Sequence, residues 1–473
     1  MIGNLLNRLG AFLLLPLYTS YLSTSEYGVL EILYATNAFI AMVCGAGLAH
    51  ATLRFYFDND KQKDRNNVVT TNYFMASFFT IIGAIFVILL SSQISSLLMG
   101  DERYAQLVEL AVLVIVFEVT IEVCFAYLRA REQAVLYVMM SLLKLSIQVG
   151  ACVYFVAVIS KGVQGVLWGN LLSVFFVWLF VTLYVFLNCG FSMNYKYIKP
   201  ILKYSVPFVL SGIIGVLMVN LTLYLIRIYS SLGEVGLYGL AMKFAMILRF
   251  VVSEPFQRSY GSFRFSVIKQ ENAKEIQAQV VHYYIIVASI IALGIALFTP
   301  DVLHMMAANE YWGAAIITPI ILLAFLFSGI RYCFETGILY KKKTSYIFFM
   351  SIISLIVSVV GNVLLIPIWG VYGAAFTLMI VNMLLVVMTF MLSQKLYFVP
   401  YDYLGVFKIS FLLITVYFLA DMIMDDMLNI FLRLPTSLAF VGLFICLLYM
   451  TDLKTRDLSL KILGYFRKTP IIN

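Results

Sequence analysis

Fourteen apolar segments follow one another along the chain, each near the length that a bilayer requires of a spanning helix. They run approximately over 2–22, 29–53, 68–91, 104–128, 135–158, 164–188, 205–229, 236–256, 277–299, 313–334, 345–367, 371–393, 404–423 and 435–450. Only 12% of the 473 residues are charged, against about 25% in a typical soluble domain. The predicted fold class is therefore an all-α polytopic membrane protein with about 14 transmembrane helices.

Lysine and arginine are distributed unevenly between the two sides of this predicted topology. With the N-terminus in the cytoplasm, 22 of them lie in cytoplasmic loops and the tail. The outer loops hold 3, namely Arg103, Lys161 and Arg433. An excess of positive residues marks the cytoplasmic side of membrane proteins, so both termini are predicted to be cytoplasmic. The positive charges that give the net charge of +8 thus lie mainly on the cytoplasmic side of a membrane protein, so no nucleic-acid partner is predicted.

Two short motifs recur at a single offset of 208 residues. The first, YLSTSEYG at 21–28, is echoed by YSSLGEVG at 229–236. The second, KGVQG at 161–165, is echoed by WGVYG at 369–373. The offset spans six predicted helices, an even number, so both copies enter the membrane from the same side. Two related lobes of this kind are typical of transporters, whose substrate site lies between the repeats near the bilayer midplane.

This repeat predicts three regions in the chain. Residues 1–195 are expected to form an N-terminal lobe of helices 1 to 6, and residues 196–400 a C-terminal lobe of helices 7 to 12. Helices 13 and 14 and a basic cytoplasmic tail then occupy residues 401–473.

Charged side chains inside the apolar segments are the candidate functional residues, because each costs about 2.5–3.5 kcal/mol at a bilayer centre. The candidates for substrate binding are Arg8, Lys144, Lys243, Arg249 and Arg331. Lys144 and Arg249 lie near the middle of their spans without a carboxylate within one helical turn, so each should face water or an anion. Together the cations predict a positive chamber for a strongly anionic group such as a diphosphate. For Arg331 the alternative is neutralisation by Glu335, four residues later.

Glu118 and Glu122 are the candidate ion-coupling residues. They are four residues apart, so both carboxylates lie on one face of a helix, where repulsion and burial favour uptake of a proton or cation. The alternative is that they neutralise Lys144 or Arg8 across a helix interface. The sequence leaves both interpretations open.

The segment NRLGAFLLLPLYTSYLSTSEYGVLEIL, residues 7–33, resembles the polysaccharide (O-antigen type) flippases of the multidrug/oligosaccharidyl-lipid/polysaccharide exporter superfamily. The resemblance is carried by Arg8, Pro16, Tyr18, Tyr21, Leu22 and the run Glu26-Tyr27-Gly28, followed by RFYFD at 54–58. It implies a MATE-like pair of lobes in the bacterial cytoplasmic membrane. It further implies translocation of undecaprenyl-diphosphate-linked oligosaccharide to the outer leaflet by alternating access, coupled to H⁺ or Na⁺, with a glycan polymerase as a possible partner.

Three alternatives differ from this interpretation. A multidrug exporter of the same fold commonly has a carboxylate in helix 1, which this chain lacks, and a positive chamber would repel cationic drugs. A lipid II flippase would carry an Arg-Asp pair where LLLP stands here. A membrane enzyme would need a larger outer loop, and the sequence contains no nucleophile–base set and no metal-ligand spacing. The prediction is therefore a transporter without catalytic residues, cofactor or metal.

Overall fold

The computed structural model describes residues 12–45, 47–424 and 430–451, and these ranges are helical with short connections and no strand. The α-helices are α1 (Leu15–Tyr21), α2 (Thr24–Gly45), α3 (Leu48–Phe57), α4 (Gln62–Leu89), α5 (Ser91–Met99), α6 (Ala105–Ala130), α7 (Ala134–Cys152), α8 (Gly162–Cys189), α9 (Ile198–Tyr229), α10 (Leu232–Leu248), α11 (Glu254–Val267), α12 (Ala273–Met306), α13 (Gly313–Phe334), α14 (Thr336–Tyr340), α15 (Ser345–Trp369), α16 (Val371–Leu396), α17 (Tyr403–Met424) and α18 (Ile430–Thr451). Two π-helical segments, Val153–Val158 and Arg249–Ser253, continue α7 and α10 respectively.

Twelve helical stretches of the described residues are long and apolar enough to cross a membrane. Helix α6 is of similar length but carries Glu109, Glu118 and Glu122. Large apolar side chains also cover the outer surface: Leu187 is 86% exposed and Phe407 68%. Such a surface is stable only in lipid. The predicted all-α, multi-pass fold class is confirmed.

The predicted second span, 29–53, consists of two helices instead of one. Helix α2 begins earlier than predicted, at Thr24, and α3 begins at Leu48. Between them, Gly47 has a φ of +84°, a left-handed conformation that glycine adopts without steric cost. A Cβ atom at Gly47 would also lie 2.9 Å from the Cα of Ser205, so glycine is needed for the close approach of the two backbones.

The described chain divides into two compact units, Met1–Gly236 and Leu237–Asn473. In the first unit, α6 packs against α2, α3, α4 and α8, and α9 packs against α2 and α3. In the second unit, α13 packs against α12 and α16, and α12 also contacts α17 and α18. The three regions predicted from the sequence repeat, with boundaries at residues 195 and 400, are defined by a different criterion from these two units. That division of the chain stays a prediction.

The first repeated motif forms the start of a helix in both copies. The amide of Glu26 donates to Oγ of Ser23 at 3.2 Å, and the amide of Ser23 donates to Oε2 of Glu26 at 2.9 Å. This reciprocal pair is a capping box, which satisfies backbone donors at a helix start. In the second copy, the amide of Glu234 donates to Oγ of Ser231, also at 3.2 Å. The shared serine therefore caps a helix start in both copies.

The glycines that end this motif lie against each other within the first unit. A Cβ atom on Gly28 would overlap the carbonyl oxygen of Leu232, and one on Gly236 would overlap the carbonyl oxygen of Thr24. The two helix starts thus cross backbone to backbone, as small residues permit in membrane proteins.

The second repeated motif shows the same equivalence. Gly162 and Gly370 have φ values of +53° and +56°, and each stands at the start of a helix, α8 or α16. Three residues later, a Cβ atom at Gly165 or Gly373 would press on the carbonyl group of an earlier residue, Phe155 or Leu365. Both copies therefore place a glycine of positive φ at a helix start and a second glycine where a side chain would press on backbone.

We predict that Gly28→Ala destabilises the protein by about 1–3 kcal/mol, since the added methyl group meets backbone that cannot move aside. The measurement is the apparent melting temperature of the purified protein in detergent. Gly150→Ala in α7 is the matched control, because no heavy atom lies within 4 Å of its added Cβ and alanine favours a helix. Equal melting temperatures for both variants would contradict the proposed close contact.

Candidate functional site

Two of the predicted substrate-binding cations, Arg249 and Arg331, line one pocket in the second unit. The polar pocket has a volume of about 230 Å³. Its lining residues are Arg249, Ser253, Gln257, Phe325, Ser328, Gly329, Arg331, Tyr332 and Glu335. They come from the π-helical segment, α11 and α13, with Glu335 at the junction of α13 and α14. The two cations are 82 residues apart in the sequence, and the packing of α13 against the π-helical segment brings them to one pocket.

Arg249 has a carboxylate partner that α-helical spacing does not predict. Its Nε lies 3.5 Å from Oε1 of Glu254, five residues later. In a regular α-helix these two side chains would point about 140° apart, but a π-helical turn has i→i+5 spacing and aligns them. The sequence offers Arg249 no carboxylate within one α-helical turn, and the pair with Glu254 was not predicted because it needs the π-helical register.

Pro255 is the second residue of α11, just after this π-helical segment. A proline inside a helix is expected to end or kink it, but the helix continues as α11 to Val267. Proline is tolerated here because it stands in the first turn of α11, where its missing N–H group leaves no regular α-helical hydrogen bond unmade.

Glu254 is shared between two arginines. Nη2 of Arg258 lies 3.7 Å from Oε2 of Glu254, opposite the contact with Arg249. The Glu254 side chain is 17% exposed, whereas those of Arg249 and Arg258 are 51% and 55% exposed. One carboxylate therefore neutralises two cations only in part, and Arg249 keeps an accessible guanidinium at the pocket.

Arg331 forms the second ion pair of the pocket. Its Nη1 lies 3.0 Å from Oε1 of Glu335, which confirms the predicted pairing across one helical turn. Nε of Arg331 is buried without a hydrogen-bond acceptor among the described residues. Arg331 therefore retains one unused donor while its charge is balanced by Glu335.

An apolar cavity lies on the other side of the π-helical segment. Its volume is about 330 Å³, and it is lined by Val251, Val252, Phe256, Val280, Tyr283, Tyr284, Val287 and Ile291. Oγ of Ser253 and Oη of Tyr284 form a hydrogen bond of 2.9 Å where the cavity and the polar pocket meet. A charged pocket and an apolar cavity thus share one wall.

In the first unit, Lys144 is paired across a helix interface. Its Nζ donates to Oε1 of Glu118 at 2.8 Å, which joins α7 to α6. Of the two alternatives for Glu118, neutralisation of Lys144 is thus present. Glu122 has only a longer contact of 4.0 Å with Nη2 of Arg129, and its side chain is 56% exposed.

The other two predicted cations are Lys243 and Arg8. Lys243 lies on α10, is partly buried and is not among the residues that line the polar pocket. Arg8 lies outside the described residues, as does the basic tail after residue 451.

The comparison with protein families assigns the chain to one of them. Residues 1–260 match the sequence model of the family described as polysaccharide biosynthesis protein. The chain belongs to this family. The match includes the segment 7–33 on which the sequence resemblance rests, and it confirms that resemblance. No curated protein sequence matches the chain.

Solved structures of membrane transporters share the fold of this chain. A structure described as lipid II flippase MurJ in an inward closed conformation is 13% identical, with a TM-score of 0.74, and the alignment covers 97% of this chain and 98% of that one. An inward-facing multidrug resistance MATE family transporter of the MOP superfamily is 15% identical, with a TM-score of 0.66 and coverage of 83% and 94%. At these identities the similarity concerns the fold, and it confirms the predicted MATE-like architecture.

We predict that Lys144 and Glu118 are energetically coupled. Lys144→Met or Glu118→Met alone leaves a charge without its partner, whereas the double variant removes both charges. The two single changes should therefore destabilise the protein by more in sum than the double change, with a coupling energy of about 0.5–3 kcal/mol. Melting temperatures of the four proteins in detergent measure this coupling. Strict additivity would show that the 2.8 Å contact contributes nothing to stability.

Proposed function

We propose that this family member is a flippase that translocates undecaprenyl-diphosphate-linked oligosaccharide repeat units across the cytoplasmic membrane for surface polysaccharide synthesis. The observation that carries the proposal is the polar pocket beside the apolar cavity. A substrate that joins an anionic diphosphate to an apolar chain has the two chemical characters that these neighbouring spaces complement. The assignment to the polysaccharide biosynthesis family supports a glycan as the transported group.

Arg249 is the proposed primary ligand of the diphosphate. Its guanidinium is half exposed and shares Glu254 with Arg258, so it can bind phosphate oxygens without leaving a carboxylate unpaired. Arg331 contributes through its unused Nε donor. Arg8, Lys144 and Lys243 remain proposed substrate ligands on the basis of the sequence alone.

Transport is proposed to proceed by alternating access driven by H⁺ or Na⁺, with Glu122 as the coupling residue. Glu118 is engaged by Lys144, whereas Glu122 is exposed and has no contact as close as that pair. The positive-inside distribution supports an inner-membrane protein with cytoplasmic termini. Membrane lipid and a glycan polymerase are the proposed partners.

We expect Arg249→Ala to abolish surface polysaccharide while the protein remains in the membrane at its normal level. Loss of charge-assisted hydrogen bonds of about 1.5–3 kcal/mol should weaken the binding of inorganic pyrophosphate about 10- to 100-fold. Pyrophosphate affinity is measured by isothermal titration calorimetry on purified protein in detergent, and translocation by the accessibility of a fluorescent lipid-linked oligosaccharide in proteoliposomes.

The matched control is Lys269→Gln, which removes one exposed positive charge from the segment that follows α11. Normal polysaccharide in Arg249→Ala cells would contradict the proposed substrate site. Drug resistance on overexpression with no effect on polysaccharide would instead indicate a multidrug exporter.

We expect Glu122→Gln to remove the acceleration of transport by an imposed ion gradient, because the amide cannot exchange a proton or hold Na⁺ by charge. Pyrophosphate affinity should be unchanged. The assay is translocation in proteoliposomes with a pH gradient, a Na⁺ gradient or neither. Glu109→Gln on the same helix is the control, since its carbonyl can still accept the 2.8 Å hydrogen bond from Ser91. Gradient-dependent transport in Glu122→Gln would exclude this residue from coupling.

A further inference from the structure

Another arginine lies beside the polar pocket, buried behind its wall. Arg264 on α11 is only 5% exposed. Arg264 is one of the 22 lysines and arginines that the sequence assigns to cytoplasmic loops and the tail, whereas α11 carries it inside the second unit. Its guanidinium carbon lies 4.7 Å from the ring centre of Tyr332, 5.3 Å from that of Phe265 and 5.8 Å from that of Tyr260. The charge is therefore enclosed by three aromatic rings.

The hydrogen-bonding groups of Arg264 are largely unused. Its Nη2 donates to Oη of Tyr332 at 3.3 Å. Its Nε and Nη1 are buried without an acceptor. Glu335 is near enough to interact with its charge electrostatically, but no carboxylate of the described residues forms a direct ion pair with it. Aromatic faces attract a guanidinium but accept hydrogen bonds poorly. A buried cation with unused donors therefore calls for an anion with several acceptor oxygens.

Tyr332 is the side chain that lies between Arg264 and the polar pocket. It lines the pocket together with Arg249 and Arg331, and its ring also stacks on the Arg264 guanidinium. Its hydroxyl accepts from Arg264 and donates to the backbone carbonyl of Gln257 at 3.1 Å. Two hydrogen bonds hold the Tyr332 ring in place. Its displacement would expose the guanidinium of Arg264 to a ligand in the polar pocket.

We propose that Arg264 is a second, occluded phosphate-binding residue of the polar pocket and that Tyr332 is the gate that covers it. The inference rests on the proposed function, because its ligand is the diphosphate of a lipid-linked substrate. One phosphate binds at Arg249, and the other displaces Tyr332 and engages the free donors of Arg264. Because Arg264 is enclosed, it contacts phosphate only after Tyr332 has moved. The diphosphate therefore binds in two steps, first at Arg249 and then at Arg264.

The first test compares Arg264→Gln with Lys269→Gln, which removes a charge from an exposed position nearby. The full-length protein in detergent is titrated with inorganic pyrophosphate and with farnesyl diphosphate. Arg264→Gln should weaken the binding of both about tenfold or more, and Lys269→Gln should leave it unchanged. Arg264→Lys, which keeps the charge but not the planar donors, should fold and still bind more weakly than the unmodified protein.

The second test uses Tyr332→Phe, which keeps the ring and removes the hydroxyl that holds the gate closed. Diphosphate binding should become several-fold tighter, a change opposite in sign to that of Arg264→Gln. Such a change is not expected if the two residues merely stabilise the fold. Lower melting temperatures for both variants with unchanged diphosphate affinity would overturn the proposal.

Three further results separate this proposal from the proposed function. No pyrophosphate binding by the unmodified protein would overturn both. Binding that is lost in Arg249→Ala but unchanged in Arg264→Gln and Arg264→Lys would overturn only the role of Arg264. Competition by phosphatidylglycerol vesicles at the same site would also overturn it, because the pocket would then bind ordinary lipid headgroups.

Discussion

An ionised side chain in surroundings of low dielectric constant is stable only if an opposite charge, a set of hydrogen-bond acceptors or water replaces its lost hydration. This requirement accounts for the positions of the intramembrane charges. Lys144 meets Glu118 across two helices, and Nε of Arg433 on α18 lies 2.8 Å from Oδ1 of the buried Asp301 on α12. Each pair joins separate helices, so the need to neutralise a charge also fixes which helices pack together.

The same requirement distinguishes the polar pocket from these pairs between helices. Arg331 is balanced there by Glu335, whereas Arg249 shares the carboxylate of Glu254 with Arg258. The guanidinium of Arg249 is half exposed. This accessible cation is the feature on which the proposal of an anionic ligand rests.

The π-helical segment is the local feature on which this arrangement depends. The extra residue in its turn aligns Arg249 with Glu254, and the segment also forms the wall between the polar pocket and the apolar cavity through Ser253. A regular α-helix would direct Arg249 and Glu254 to different faces. π-Helical turns of this kind recur at functional sites in other proteins because they change the direction of selected side chains without ending the helix.

The sequence by itself determined the fold class, the approximate spans, the repeated motifs and the family resemblance. Spans follow from local composition and length, and the motifs are local capping and glycine features, so both can be recognised without knowledge of the packing. The tertiary structure alone decided that Lys144 pairs with Glu118, that Arg249 pairs with Glu254 and that Arg264 is buried. These facts depend on neighbouring helices and on one π-helical turn. A single added residue per turn rotates every later side chain by about 100°, which no α-helical periodicity in the sequence reveals.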